Sequence, residues 1–329
     1  MVPKVMIILG SGSDIAIAEK SMDILEKLEI PYSLKIASAH RTPNLVREIV
    51  TKGTEAGIEV FIGIAGLAAH LPGSIAAYTP RPVIGVPVDV KTGGIDALQS
   101  IIQMPYPSPI ATVGIDRGDN AAILAAQFIG LHDDEIHQKV IESNENLVQP
   151  INRPFIRNDF IKVKDIEINK VQADEENGGC KNKDAEVAII VGRQNDVLTA
   201  KKITKLLDRL KITYDMKVVC PIRSNKKFID YVKSMKNAKV FIGVSSNCSQ
   251  VTGGLVGLTA RPVIGVPCTN ENGDDYMLTA VNMPPGVPVA TVGINNGKNA
   301  AVLAGEIFSI RNPEMVDILE KLKDKKISL

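Results

Sequence analysis

Val5-Met-Ile-Ile-Leu9 is a short, unbroken apolar run that stops at Gly10-Ser-Gly-Ser-Asp14. Five apolar residues without alternation suit a strand buried on both faces of a parallel sheet rather than one half exposed to water. Beyond the turn, Ile17, Met22, Leu25 and Leu28 recur at helical spacing among Glu19, Lys20, Glu26 and Lys27. A helix therefore carries the chain back across the sheet. The same alternation continues, with strands expected at Tyr32–Ala37, Val60–Ile64, Pro82–Val86 and Ile110–Ile115. Helices are expected at Pro43–Ala56, Gly73–Thr79, Ala97–Gln103 and Asn120–Phe128. Strands alternating with helices specify an α/β fold, a three-layer α/β/α sandwich with a parallel sheet of the flavodoxin-like kind, whose ligands bind beyond the carboxyl ends of the strands.

The chain then repeats itself. Ile8-Leu-Gly-Ser-Gly-Ser-Asp14 returns as Ile190-Val-Gly-Arg-Gln-Asn-Asp196, and Val60-Phe-Ile-Gly63 as Val240-Phe-Ile-Gly243. Arg81-Pro-Val-Ile-Gly-Val-Pro87 returns unchanged as 261–267, and Ala111-Thr-Val-Gly-Ile115 as 290–294, each of the latter followed by Gly-x-Asn-Ala-Ala. The offset falls from 182 to 180 to 179, so two small deletions separate the copies. The period is a whole domain, too long for a solenoid. The expected organisation is a first copy over 1–147, a linker over 148–184 and a degenerate second copy over 185–329. Charged helices at Asp133–Leu147 and Glu314–Lys325 are expected to extend past each globular unit. Within the Pro-, Asn- and charge-rich linker, Phe160, Ile161, Val163, Ile166 and Ile168 alternate as an extended arm would.

Composition excludes several classes. A chain of 329 residues holds two ordinary domains, and 38 basic residues nearly balance 37 acidic ones, so no overall field attracts nucleic acid or an acidic membrane. Aromatics make up 4% with no Trp, which leaves little for base stacking. Cys180, Cys220, Cys248 and Cys268 lack C-x-x-C spacing, so free thiols in a reducing compartment are the simple reading. With no signal-peptide pattern and no apolar run near about 18 residues, a cytoplasmic protein is expected.

Three loops, each at the carboxyl end of an expected strand, could carry chemistry. Gly10-Ser-Gly-Ser-Asp14 offers amides, two hydroxyls and a carboxylate to a phosphate or ribose. Ile15 stands where a dinucleotide fingerprint needs glycine, so that motif fails its spacing. A helix cap by Ser13 or Asp14 competes with ligand binding, and the loop alone does not choose. Ser38-Ala-His-Arg-Thr-Pro43 presents His40, which can move a proton near neutrality, beside Arg41, a permanent forked cation for an anionic group. The plain alternative for His40 is a strand-end cap. Gly63-Ile-Ala-Gly-Leu-Ala-Ala-His-Leu-Pro-Gly73 lets a planar ligand lie against the backbone with His70 in reach, where a buried structural histidine is the alternative. His132 and His137 read as solvated positions on or beside a charged helix. No nucleophile elbow supports Ser-His-Asp catalysis, and two histidines without an acidic ligand do not make a metal site.

Taken together these loops resemble the phosphoribosylaminoimidazole carboxylase family of purine biosynthesis. The likeness runs through Arg81–Pro87, Ser100-Ile-Ile-Gln-Met-Pro105 and Asn120-Ala-Ala-Ile-Leu-Ala-Ala126, and so covers residues 4–130. The Ala-Ala-His-Leu-Pro-Gly form is similar to the branch that moves a carboxyl group from the exocyclic nitrogen of N5-carboxyaminoimidazole ribonucleotide to the ring carbon. The resemblance implies that Ser11, Ser13, Asp14, Ser38 and Arg41 bind the ribose phosphate and that Gly66 lines the imidazole pocket. It further implies His70 near the carboxylate, His40 as general acid and base, and no cofactor or metal. It implies homo-oligomers with sites at subunit contacts, here four tandem chains standing for an octamer. Direct carboxylation of aminoimidazole ribonucleotide by CO2, carboxylation of a pyridine mononucleotide, and a nucleotide-binding regulatory module stay open as alternatives. The second copy departs in every catalytic loop. Arg193 and Asn195 replace the serines, Ile222 falls opposite His40 and Gln250 opposite His70, while Asp196 and Arg223 persist. It is expected to be a scaffold or regulatory partner.

Overall fold

In the first strand, β1 (Val5–Leu9), Val5, Ile7 and Leu9 face one hydrophobic cluster and Met6 and Ile8 the other. Both faces of the sheet are thus buried from its first residue, as the unbroken apolar run requires. The computed structural model describes residues 2–146, 182, 184–246, 249–270, 272–273 and 275–327. The expected arm at Phe160–Ile168 and nearly all of the linker, with Cys180 and Cys248, lie outside them.

In the first copy, α1 (Ile15–Lys27), β2 (Tyr32–Ile36), α2 (Pro43–Glu55), β3 (Val60–Gly66), α3 (Leu71–Ala76) and β4 (Val83–Val88) follow β1. Next come α4 (Ile95–Ile102), β5 (Ala111–Thr112), α5 (Gly118–Ile129) and α6 (Asp134–Asn146). In the second copy, β6 (Val187–Val191), α7 (Val197–Leu210), β7 (Tyr214–Val218), α8 (Asn225–Ser234), β8 (Val240–Ser245) and α9 (Gln250–Val256) repeat the plan. It closes with β9 (Val263–Pro267), α10 (Met277–Val281), β10 (Ala290–Thr291), α11 (Gly297–Ser309) and α12 (Pro313–Ile327). Among the described residues no helix is long and apolar enough to cross a membrane.

The copies share one sheet. Its order is β2-β1-β3-β4-β5-β10-β9-β8-β6-β7, parallel throughout except where β5 meets β10 antiparallel at Thr112 and Thr291. Each half has the doubly wound flavodoxin-like order, and the halves join by their last strands about a pseudo-two-fold axis. The exposed edge that a lone copy would present is thereby paired. On one face a single core runs through both copies, from Val5 and Leu124 to Val187 and Leu319. On the other, each copy keeps its own cluster, and Leu98, Ile102, Met277 and Val281 bridge them.

The repeated words of the sequence are largely the joint. Asn120 donates to Pro284 O at 3.0 Å and accepts from Gly286 N at 2.8 Å. Its counterpart Asn299 donates to Met104 O at 3.0 Å. The loops at Gln103–Pro105 and Asn282–Pro284 are therefore each held by the other copy. Gly118 packs where a Cβ would lie 2.2 Å from Ile17 O, and Gly297 where it would lie 2.5 Å from Thr199 O, so the helix starts tolerate no side chain. Arg81 donates to Ser309 O at 2.6 Å, and Arg311 meets the buried Glu59 at 2.6 Å.

Four expectations need correction. The fifth strand is two residues long, because the chain leaves the ladder after Thr112, where the twin edge takes its place. The helix placed at Gly73–Thr79 spans Leu71–Ala76, since Pro72 fits a first turn, where no amide partner is needed. The charged helices do not extend past the body: Ile136 and Val140 of α6, and Met315 and Leu319 of α12, are buried in the shared core. His137 is half-buried beside Arg261, and burial followed by that charge holds its imidazole below the ordinary value.

Lys323 of α12 donates to Thr79 O at 2.7 Å and Ala76 O at 3.1 Å, placing a cation at the C-terminus of α3. It also lies 3.1 Å from the carboxylate of Glu306, which is fully buried. Burial, opposed by Lys323, pushes the Glu306 carboxyl up from 4.5 to about 7. Between those values the folded chain holds a proton that the unfolded chain has lost, so stability falls as pH rises through this window and levels above it. Gln127 occupies the matching place in the first copy. Glu306→Gln is expected to remove this part of the pH dependence, read as melting temperature against pH from 4.5 to 8; parallel curves for both proteins would disprove the assignment.

Candidate active site

The three loops singled out by sequence come together at the carboxyl ends of β1, β2 and β3, which are neighbours in the sheet. Parallel strands deliver all their following loops to one edge, so adjacency in the sheet becomes adjacency in the site. Ser11 precedes a single 3-10 turn over Gly12–Asp14, and its hydroxyl accepts from Ser13 N at 3.4 Å. The Ser13 hydroxyl lies 3.0 Å from both Ser11 Oγ and Asp14 Oδ1. Asp14 is buried; burial raises its carboxyl pKa, opposed by the Ser13 hydroxyl and the Ser11 region and aided by Asp116. Asp116, at φ 58°, accepts from Asp89 N at 3.1 Å and so ties the ends of β4 and β5 beside this loop. Sequence reading missed Asp116, because it and its partner Asp89 N lie 27 residues apart with no shared motif.

The His40 loop is a closed turn. Thr42 N donates to Ser38 O at 2.9 Å, the Thr42 hydroxyl accepts from Ser38 N at 3.0 Å, and the Ser38 hydroxyl accepts from Arg41 N at 3.2 Å. The guanidinium of Arg41 donates to Gly10 O at 3.2 Å, which links this turn to the serine loop while most of the fork stays exposed. From the third loop His70 stands at the start of α3, and its Nδ1 lies 2.8 Å from His40 Nε2. The ring centroids are 4.8 Å apart and the planes tilted by 53°. A contact that short holds one hydrogen between two nitrogens, so the rings cannot both be doubly protonated in this geometry. One imidazole orients the other, leaving a remaining ring nitrogen of each for a ligand.

Gly66 ends β3 where an added Cβ would lie 2.5 Å from Val90 Cγ2 and 3.2 Å from Val88 O, so the backbone here lies close against the β4 loop. The sequence-chosen residues Ser11, Ser13, Asp14, Ser38, Arg41, Gly66, His40 and His70 thus belong to one constellation of three adjoining loops. His40, His70, Ser13 and Arg41 are exposed. An anion would meet Arg41 and the hydroxyls, with the imidazole pair at its other end.

The second copy keeps the scaffold without the imidazoles. Arg223 donates to Gly192 O at 3.1 Å, matching Arg41 on Gly10. Ile222 is 67% exposed where His40 stands in the first copy. Asp196 is buried and accepts from Ser246 N at 3.1 Å, closing a cavity of about 260 Å³ lined also by Arg193, Asn195, Thr269 and Asn272.

Because the Thr42 hydroxyl accepts from Ser38 N at 3.0 Å and donates to Ser38 O at 3.2 Å, Thr42→Val, which keeps only the backbone bond from Thr42 N, is expected to free His40 from His70 at little cost to the fold. With four histidines in the chain, cross-peaks between the His40 and His70 rings in labelled protein would report it. Retained cross-peaks would mean that the turn holds without Thr42.

A family model described as AIR carboxylase matches twice, over residues 4–149 and 186–328. A protein of Methanobrevibacter smithii named probable N5-carboxyaminoimidazole ribonucleotide mutase is 68% identical over the full length of both chains. One of the same name from Methanothermobacter thermautotrophicus is 47% identical over 99% of each. The N5-carboxyaminoimidazole ribonucleotide mutase of Methanocaldococcus jannaschii is 54% identical over 45% of this chain and 92% of its own. With both halves matched and full-length relatives this similar, the chain belongs to the AIR carboxylase family and carries its domain twice.

Proposed function

We propose that this chain is the purine-biosynthetic enzyme that converts N5-carboxyaminoimidazole ribonucleotide to 4-carboxy-5-aminoimidazole ribonucleotide. The observation that carries the reading is the 2.8 Å contact between His40 and His70, made by two loops of which the first also carries the forked cation Arg41, while the neighbouring Gly10–Asp14 loop that Arg41 reaches offers hydroxyls. The relatives' names support the substrate class. In the reaction the bond between the exocyclic nitrogen and the carboxyl carbon breaks to release CO2, and the nitrogen gains a proton. The ring carbon then bonds the CO2 and loses its own proton. No net proton, electron or cofactor is consumed, so one imidazole can give the first proton and take the second.

In this reading His40 is that acid and base, and His70 orients it and lies near the carboxylate. Ser11, Ser13, Asp14, Ser38 and Arg41 hold the ribose phosphate, and Gly66 lets the imidazole ring approach the backbone. Released CO2 must be kept from water. Since His40, His70 and Arg41 are exposed in one chain, a neighbouring chain would supply the cover, in a tetramer of tandem chains that mimics eight single domains. Residues 1–147 form the catalytic unit, 148–184 a linker, and 185–329 a non-catalytic copy, because Ile222 and Gln250 cannot move protons. The enzyme works in the cytoplasm on a small ribonucleotide, with neither nucleic acid nor membrane as partner.

Turnover of synthetic N5-carboxyaminoimidazole ribonucleotide tests this, with formation of the carbon-carboxylated product followed for wild type and His40→Asn. The substitution is expected to slow turnover by at least about a hundredfold, the scale of a lost general acid-base. Turnover of aminoimidazole ribonucleotide with bicarbonate alone would make it a direct carboxylase, and binding without turnover a regulatory module. Light scattering of the intact protein is expected to give four chains; a monomer would remove the proposed cover.

A further inference from the structure

Away from the three loops, α7, α11 and α12 of the second copy meet Tyr106 of the first around a groove of about 560 Å³. Five cations line it: Lys201, Lys202, Lys205 and Arg209 from α7, and Lys298 from α11. Among the described residues no acidic side chain lines it. Among the described residues none of these five forms an ion pair within 4.0 Å; Lys202 reaches Asn295 O at 3.5 Å, and Lys298 lies 5.3 Å above the Tyr106 ring. Beside them Leu322 and the 72% exposed Leu198 give the groove an apolar wall.

The pseudo-two-fold axis supplies an internal control. Lys20 reaching Asp116 O and Lys202 reaching Asn295 O fix the alignment of α1 with α7. Lys201, Lys205 and Lys298 then fall opposite Glu19, Asp23 and Asp119, while Lys202 and Arg209 fall opposite Lys20 and Lys27. Leu198 falls opposite Ala16, and Tyr106 opposite Pro285. The ordinary surface of this helix pair is therefore mixed in charge. In the second copy three acids have become lysines at one spot, in a chain whose net charge is only +1. Clustered like charges repel and raise the energy of the folded state unless an anion neutralises them.

We propose that this groove binds a nucleoside triphosphate. Lys201 to Arg209 spans about 12 Å along α7 at 1.5 Å per residue, so the cations form a stripe suited to a phosphate chain rather than to a single phosphate. Tyr106, Leu198 and Leu322 offer the flat and apolar contacts a base needs, and the volume is that of a small-molecule site. A nucleic-acid polymer would need the long-range field that the balanced remainder of the chain lacks. The inference does not depend on the reaction proposed for the first copy.

Equilibrium dialysis of the full chain with ATP, inorganic tripolyphosphate and a single-stranded RNA oligonucleotide tests it. One ATP per chain is expected, with binding that weakens as salt rises. The triple variant Lys201→Glu, Lys205→Asp, Lys298→Asp installs side chains that the first copy already carries and is expected to lower ATP affinity at least about tenfold. Should it fail to fold by circular dichroism, Lys298→Asp alone is expected to weaken binding in the same direction. Tyr106→Ala is expected to weaken ATP while sparing tripolyphosphate. Absence of ATP binding, binding unchanged in the reversed variants, or binding of RNA alone would overturn the proposal. Loss of ATP binding with Arg41→Ala instead would put the probe in the first-copy loops and overturn it as well. A changed oligomeric mass in the triple variant, with no ATP bound by wild type, would make the groove a contact between chains.

Discussion

The antiparallel meeting of β5 with β10 is the constraint on which the rest of the structure depends. Each copy ends its sheet on a two-residue strand, too short to protect the edge by itself. Joining the two edges makes one ten-stranded sheet and lets one core run across both copies. The joint is then locked by groups that reach over it: Asn120 and Asn299 onto the opposite loops, Arg81 onto Ser309 O, and Lys323 onto the end of α3. A buried carboxylate at Glu306 is tolerated because Lys323 stands beside it. Neither copy alone would retain the bonds that cross the joint.

This explains which residues the duplicated sequence has kept and which it has let go. Gly118 with Gly297, Asn120 with Asn299, and Arg81 with Arg261 persist in both copies. Two helix starts admit no side chain, two amides clamp the facing loop, and Arg81 crosses the joint. The histidines serve no such purpose. They sit at the exposed carboxyl edge, where Ile222 can replace His40 without disturbing a single strand. Packing holds the scaffold of the second copy to its original design, while its carboxyl-edge loops have been free to change. The same freedom extends to the outer face of α7, where Glu19 and Asp23 of α1 correspond to Lys201 and Lys205. The two copies are thus alike inside and different outside, with the imidazole pair confined to one and a charge pattern of its own on the other.

Much of this was legible in the residues. The unbroken run at Val5–Leu9 declared a sheet buried on both faces, and alternation with helical segments gave its parallel sense. The loops carrying His40, His70 and Arg41 could be ranked because strand ends in such sheets share one edge. The short β5 was not legible, since Ile110–Ile115 has a strand's composition and only the twin edge cuts it to two paired residues. Nor was the burial of α6 and α12, whose charged faces hide Val140 and Leu319 until α5 and α11 pack against them.

Local sequence determined the element types, the duplication, the residues at the carboxyl edge of the sheet and the loss of imidazoles from the second copy, because these depend on side-chain chemistry and short-range periodicity. Tertiary structure alone decided that the copies share a sheet and that two histidines 30 residues apart lie within a hydrogen bond of each other. It alone decided, too, that five cations from two helices converge beside a tyrosine of the other copy. Such contacts depend on where distant segments meet, and that is set by the packing of the whole chain.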